Sequence, residues 1–425
     1  MRRVSMFVEE ACARILAELE RKPRSIRLLL ERNFMVPRSL LHALCMGVLK
    51  SYRIAEEALR FCGLQLSRRR GVKGWTAIIA AYELLYRRDH VDKERLARLI
   101  ADRRVLNCLQ RIDEKDILSA YKGVARLAIK YSIPEWVITK LLRVDIPGGL
   151  EILLESFQKP PPTWIRYNKR LIASSEEALK ELETIGINAR IDPVLDDVLE
   201  VVSARPGSIE RIERSKFYIM DRASCLVAHM ANETANLILD LYSAPGNKLA
   251  HLLWRRTGIG VAFDLSQSRL KEEYKLLSQQ NVWEAILVAA DAFHPPVRGR
   301  RMFDVAIVDP DCSSIGRLGH SPETRLFLEK AGPMIVSRLA SLQRKGLEKA
   351  IELVKRGGLV IYFTCTLTRE ENEDVVLSVA EKYDVEIEEA EPWIGVPSSI
   401  DRRMQRFYPH ISKSIGGFAA KLRIE

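Results

Sequence analysis

Two cysteines and several aspartates stand where short apolar runs end. FDVAIVDPDCSS (303–314) closes on Asp309 and Cys312, and GGLVIYFTCTLTREENE (357–373) carries Cys365. Consider what such residues can do to a pyrimidine ring. Carbon 5 is a poor nucleophile until a thiolate adds to carbon 6 and makes an enamine-like adduct. The adduct can take a methyl group at carbon 5. The carbon 5 proton must then leave before the thiol can be eliminated. The reaction needs a covalent nucleophile, a proton acceptor, and an acid or hydrogen-bond partner at ring nitrogen N3. A free thiol has a pKa of about 8.5 and must be activated by its surroundings. Two thiols and a carboxylate from adjacent strand ends, Cys365, Cys312 and Asp309, meet that list.

These residues need elements that hold them. Short apolar runs bounded by Gly and Pro, alternating with helical patterns, read as parallel strands of an α/β sheet. From residue 214 to 425 the pattern is that of a doubly wound α/β domain, in which ligands bind beyond the carboxyl ends of the strands. LILDLYSAPGNK (237–248) leads from Asp240 into a small-residue turn, where backbone amides can approach a ligand at a helix start. It is neither GxGxxG nor a P-loop. GVAFDLSQSRL (260–270) ends its apolar run on Asp264, some 20 positions past the turn, where a ribose hydroxyl pair is held. ILVAADAF (286–293) ends on Asp291. A glycine-poor turn with a ribose acid and a further acid on the next strand suits a nucleoside cofactor without a pyrophosphate. S-adenosylmethionine fits better than NAD.

The rest of the chain frames this domain. At 425 residues, two or three domains are expected. A net charge of +11 points to a polyanionic partner, with nucleic acid first. No run of 18 apolar residues occurs, so no membrane span is expected. The first residues, MRRVSMFVEEACARIL, do not read as a signal peptide, because Glu9 and Glu10 interrupt the apolar stretch. Seven cysteines with wide spacing and no CxxC pair read as reduced cytosolic thiols, not a disulfide framework or a zinc site. Cys12, Cys45, Cys62 and Cys108 fall in helical patterns and read as small core hydrophobes. No metal is expected.

Residues 1–150 read as all-helical, with apolar spacing of three and four in 7–21, 39–62 and 94–105. The tracts SRRRGVK (67–73) and RGRR (298–301) are candidate phosphate contacts. The prolines of KPPPTWIRYNKR (159–170) mark a stiff linker. A small α+β unit over 151–213 follows. Its strands read as WIRYN, NARIDPV and DVLEVVS. Its helix runs over 174–186, capped by Ser174 and Glu177 and stopped at Gly186.

Four motifs, in order, resemble the RNA cytosine-5 methyltransferases of the Sun/Fmu/Nop type. LDLYSAPGNKLAHL resembles the family's D-CAAPGGKT-HL, and FDVAIVDPDCSSIG its FD-IL-DAPCSG-G. LVIYFTCTLTREENE resembles L-YSTCSL--EENE, and RFYPHISKSIGGFAAKL (406–422) the closing R--PH----GFF-AKL. Upstream, YSIPEWVITKLL (131–142) is similar to the branch with a helical N-terminal domain like the antitermination factor NusB, and FYIMDRAS (217–224) to the entry into the catalytic domain.

The resemblance implies a Rossmann-like catalytic domain. It implies methylation of carbon 5 of a cytosine in RNA, with ribosomal RNA favoured and transfer RNA as the alternative. By position, Cys365 becomes the nucleophile, Cys312 the thiol that assists release, and Asp309 the partner of N3. Tyr242, Ser243, Ala244, Pro245, Gly246, Asn247 and Lys248 hold the methionine moiety. Asp264 holds the ribose and Asp291 the adenine. Arg269 lies beside the cofactor and Lys248 near the target base. The expectation is a cytoplasmic monomer with RNA as partner and no membrane.

The departures are Tyr242 for Cys, Asn247 for the second Gly, Asp311 for Pro, and Ser314 for Gly. Asn247 is expected to carry a left-handed turn, and Asp311 to keep Cys312 protonated. A DNA cytosine-5 methyltransferase fits less well, because Asp precedes Cys312 and the second cysteine would be unexplained. A non-catalytic RNA-binding assembly factor has only the turn departures in its favour.

Overall fold

The computed structural model describes residues 7–425 apart from 23, 32–35, 68, 91, 93, 94, 97, 98, 101, 232–234 and 298. The first six residues of MRRVSMFVEEACARIL, which does not read as a signal peptide, Arg68 of SRRRGVK, Arg298 of RGRR and four positions of the helical run 94–105 therefore lie outside the described residues. The chain forms two compact units. One comprises 1–144, 148–159 and 317–334, and the other 145–147, 160–316 and 335–425.

In the first unit the described residues up to 159 form helices and no strand. The longest is Arg38–Phe61, and Val8–Arg21 and Gly71–Tyr86 pack on it. Their apolar faces, spaced at three and four residues, close a core that includes Cys12, Cys45, Tyr52 and Trp75, all 0% exposed. Cys62 and Cys108 do not behave as core hydrophobes: they form a disulfide. The spacing rule failed because it looks for local pairs, whereas helix packing brings together thiols 46 positions apart. Arg70 of the basic tract is also not free for phosphate. Its guanidinium pairs with Glu20 at 3.0 Å and Glu56 at 2.9 Å, and stacks over Tyr52 and Trp75. Residues 317–334, which the alternation placed in the catalytic domain, belong to this unit. The helix Thr324–Ala331 contributes Leu326 to its core.

The second unit holds two sheets. The small one has order β2–β3–β1–β4, with β1 (Trp164–Tyr167), β2 (Ile187–Ile191), β3 (Val198–Ala204) and β4 (Phe217–Ile219), all antiparallel. β4 carries the small unit past the boundary expected at 213. The helix Ser175–Thr184 packs on it, capped by Ser174, whose Oγ accepts from Glu177 N–H at 3.2 Å. Glu177 returns the bond one residue off the expected box, to Ala173 N–H at 2.8 Å.

The large sheet runs β11–β12–β13–β9–β8–β5–β6–β7, with β10 (Val385–Glu388) on β13. Strands β5 (Leu237–Asp240), β6 (Ile259–Asp264), β7 (Ala285–Ala289), β8 (Phe303–Val308) and β9 (Val354–Thr364) are parallel. β11 (Val396–Pro397), β12 (Gln405–Phe407) and β13 (Gly417–Ile424) are antiparallel. The strand order reverses between β5 and β8, which opens a crevice at their carboxyl ends.

A buried polar network joins the small sheet to the helices of the large one. Asp197, just before β3, accepts from His229 Nε2 at 2.8 Å and His251 Nε2 at 3.0 Å, and pairs with Arg255 at 2.7 Å. Asp197, His229 and His251 are the one group among the described residues spaced to hold an ion. Arg255 already neutralises the carboxylate.

Candidate active site

The site is assembled from strand ends. The loop after β8 carries Asp309 and Cys312, and β9 runs directly into Cys365. Because β8 and β9 are neighbours in parallel register, the two loops lie side by side. Cys312 Sγ and Cys365 Sγ are 3.0 Å apart, both half-buried. Ser314 Oγ faces both, at 3.8 Å and 3.6 Å. Ser314 has φ +57°, the left-handed region that a glycine enters freely, so the departure from Gly leaves the backbone path unchanged and adds a hydroxyl.

The Cys312 thiol is raised well above the ordinary cysteine value. The hydrogen bond with Cys365 is the largest cause, followed by burial and the charges of Cys365, Glu371 and Asp309. The expected influence of Asp311 gives way to Glu371 and Asp309, and Asp311 itself is exposed. Lys248 and Asp309 form an ion pair. Burial alone would lower the Lys248 ammonium, but Asp309, with Asp240 and Cys365, raises it. The ammonium also sits 5.1 Å from the centre of the Phe363 ring. A cation held charged beside Cys365 favours its thiolate.

One residue that sequence reasoning missed holds the two cysteine loops together. Glu371, wholly buried, accepts from Ser313 N–H at 2.8 Å, Ser313 Oγ at 2.5 Å, Thr368 Oγ1 at 2.7 Å and Gln343 Nε2 at 3.1 Å. The signal was present: an ENE triplet follows an apolar strand, and acids there are either solvated or fully engaged. Asn372 does similar work, accepting from Thr364 Oγ1 at 2.5 Å and donating to Thr366 O at 3.1 Å. Gly316 and Gly416 cross closely. Gly416 N–H donates to Gly316 O at 2.9 Å, and a Cβ on Gly316 would lie 1.9 Å from Gly416 O. The closing motif is thereby locked to the Cys312 loop.

The cofactor turn lies across the crevice. Gly246 takes φ +94° and caps the helix Asn247–Arg255. The left-handed residue is thus Gly246, and Asn247 is the first helical residue; the expectation for Asn247 is corrected. Its Oδ1 is buried without a partner at the helix start, an acceptor left for a ligand donor. A Cβ on Gly246 would come within 2.7 Å of Glu273, so the turn can be built only with glycine there. Ser243 Oγ donates to Glu273 from under the turn. Tyr242 sets its hydroxyl against Gly346 of the helix Met334–Leu353.

Asp264 ends β6, accepts from Ser266 N–H at 2.8 Å and pairs with Arg269 at 3.2 Å. Arg269 also donates to Ala244 O, tying the turn to the acid. Asp291 lies two residues past β7 and pairs with His294 at 3.2 Å. Asp240 is fully buried and raised to about 8, by burial first and then by Glu273 and Asp309. Glu273 is raised to about 7, by burial first, with Asp264 adding to it against the Ser243 hydrogen bond. The turn, Asp264 and the unpartnered Asn247 oxygen together fit a nucleoside cofactor bearing an amino acid tail.

A doubly wound sheet with this turn at its switch point and a thiol pair at the ends of the two neighbouring strands has the architecture of the S-adenosylmethionine-dependent methyltransferases. Residues 227–423 match the model of the 16S rRNA methyltransferase RsmB/F, and residues 133–207 that of the ferredoxin-like domain of RsmF/B-like methyltransferases. Over these two stretches the chain resembles this family, the Sun/Fmu group. It is 25% identical over 75% of its length to a probable ribosomal RNA small subunit methyltransferase B of Bacillus subtilis, covering 72% of that protein. It is 31% identical over 51% of its length to a tRNA (cytosine(72)-C(5))-methyltransferase of Pyrococcus horikoshii, covering 54% of that protein. Among solved structures, one titled PH0851 matches with TM-score 0.76 at 21% identity, over 99% of both chains. A methyltransferase homologue from Pyrococcus horikoshii matches with TM-score 0.55 at 26% identity, over 69% of this chain and 99% of its own.

Proposed function

We propose that this protein methylates carbon 5 of a cytosine in RNA through a covalent adduct at carbon 6. The observation that carries the reading is the thiol pair, 3.0 Å apart at adjoining strand ends, beside the Lys248–Asp309 ion pair. When bound, S-adenosylmethionine supplies a methyl group activated on a sulfonium centre. Tyr242–Lys248 would hold its methionine end, Asp264 its ribose and Asp291 its adenine, with Arg269 bracing Asp264 against the turn.

Cys365 adds to carbon 6 as a thiolate, favoured by the Lys248 ammonium. Cys312 keeps its proton and donates a hydrogen bond to the Cys365 sulfur. Asp309 faces N3 of the base and stabilises the adduct. After methylation the carbon 5 proton passes to water, the C5–H electrons restore the ring double bond, and the C6–S bond breaks so that Cys365 leaves as its thiolate, with the Cys312 thiol assisting by hydrogen bonding to the departing sulfur. The raised Cys312 thiol supports this division of labour, because a group that resists ionisation is a poor nucleophile but a serviceable proton carrier.

Ribosomal RNA of the small subunit is the proposed substrate. The support is the family's name and the relatives that align over most of their length. The helical unit, proposed as NusB-like, and the small sheet unit would bind RNA. The protein would act in the cytoplasm as a monomer. Bisulfite sequencing of total RNA with and without the gene tests the reading. One protected cytosine in small-subunit ribosomal RNA that is lost with the gene supports it. A protected cytosine lost from transfer RNA instead moves the substrate, and no lost position overturns the activity.

A further inference from the structure

The helical unit contains four of the seven cysteines, and they fall into two pairs. One pair, Cys62 and Cys108, is bonded. The other is Cys12, on the helix Val8–Arg21, and Cys45, on the helix Arg38–Phe61. Their sulfurs are 2.8 Å apart, and both residues are 0% exposed. A disulfide holds its sulfurs at about 2.05 Å, so closing this pair requires a shift of less than an ångström between two helices already in contact. We propose that Cys12 and Cys45 are joined as a second structural disulfide of the helical unit.

Three features support it. First, Cys62, which caps the same helix that carries Cys45, is itself in a disulfide. Second, the two bonds would brace three helices without redundancy. Cys12–Cys45 ties Val8–Arg21 to Arg38–Phe61, and Cys62–Cys108 ties Arg38–Phe61 to Arg103–Leu109. Third, the environment sets the order of events. Burial first, and then Cys45, raises the Cys12 thiol well above its ordinary value, so the finished core contains little thiolate. The thiolate is the reacting form, so the bond forms before the core closes. Afterwards it is shielded from reductant.

In that step two S–H bonds break and one S–S bond forms. The two electrons and two protons pass to the disulfide of a thiol–disulfide oxidoreductase, which becomes its dithiol. The catalytic pair is as close in distance but half-exposed, so cellular reductants reach it.

The four cysteines lie on separate tryptic peptides, 4–14, 39–50, 61–68 and 105–111, which makes the pairing readable. The full chain is blocked with N-ethylmaleimide from lysis onward, unfolded in guanidinium with fresh maleimide, and digested without reduction. Mass spectrometry is expected to find peptide 4–14 linked to 39–50, and 61–68 linked to 105–111, with both masses lost after reduction. In Cys12→Ala, Cys45 becomes maleimide-labelled while the second link persists. Cys12→Ala/Cys45→Ala should lower the melting temperature of the helical unit by roughly 5–10 °C. Peptides 4–14 and 39–50 both carrying maleimide before reduction, or either one linked to a different partner, overturns the proposal. That result leaves the RNA reading untouched, because neither cysteine takes part in it.

Discussion

Glu371 accepts from the backbone N–H of Ser313 at 2.8 Å, so the residue after Cys312 is tied to the loop that follows Cys365. The two thiols keep their spacing because one buried carboxylate has donors on both loops.

Glu371→Ala removes that link and strands several buried donors. Each unmade partner costs about 1–3 kcal/mol. Methyl transfer should fall at least about tenfold, equivalent to about 1.4 kcal/mol, and the melting temperature should drop by several degrees. Activity assays with calorimetry check both. Wild-type activity in a fully folded Glu371→Ala would show that the thiols are positioned by other means.

The two cysteines should give opposite outcomes. Cys365→Ala abolishes methyl transfer and any covalent RNA adduct, because no thiol adds to carbon 6. Cys312→Ala still allows addition and methylation, then stalls as a protein–RNA crosslink, seen as a slow band on a denaturing gel. A crosslink from Cys365→Ala that vanishes with Cys312→Ala reverses the assignment.

Asp264→Ala should weaken S-adenosylmethionine binding while sparing the fold. A ribose hydroxyl pair loses its acceptor, at about 1–3 kcal/mol, and Arg269 loses its partner. Calorimetry with the cofactor measures the loss. Unchanged affinity places the ribose elsewhere.

Asp240 carries a pH signature. Its pKa is raised to about 8 in the folded chain and is about 3.9 in an unfolded one. Between these values the folded state binds the extra proton, so stability falls as pH rises. Its contribution is complete below about pH 4 and lost as pH passes through 8; Glu273, raised to about 7, acts in the same direction. Chemical denaturation of the cofactor-free protein from pH 5 to pH 8 should show the decline, and Asp240→Asn should flatten it. A slope identical in Asp240→Asn would assign it to other groups.

Much of the site could be read from the chain because strand ends are local events. An apolar run of fixed length followed by Asp or Cys announces its own position, and parallel pairing then brings Cys312 to Cys365. The four-motif resemblance added the order of roles. What stayed hidden depends on partners far away in sequence. Glu371 looks like any surface acid until Ser313 and Gln343 close over it. Ser243 and Glu273 are 30 positions apart, and nothing in either segment announces the other. Asn247 was assigned the wrong backbone state because the departure drew attention from Gly246, which was already there to take it. Cys62 and Cys108 looked like filler because helix packing, not spacing, pairs them.

The return of residues 317–334 to the helical unit has a consequence for how the gene can be cut. The polypeptide leaves that unit at Pro160, re-enters at Arg317, just after the Cys312 loop, and leaves again after Met334. A catalytic fragment made by deleting the first 159 codons would keep the helix Thr324–Ala331 but lose the core around Leu326. The helical half is therefore no detachable cassette. Any lineage that shed it would have had to rewrite the stretch that follows the Cys312 loop.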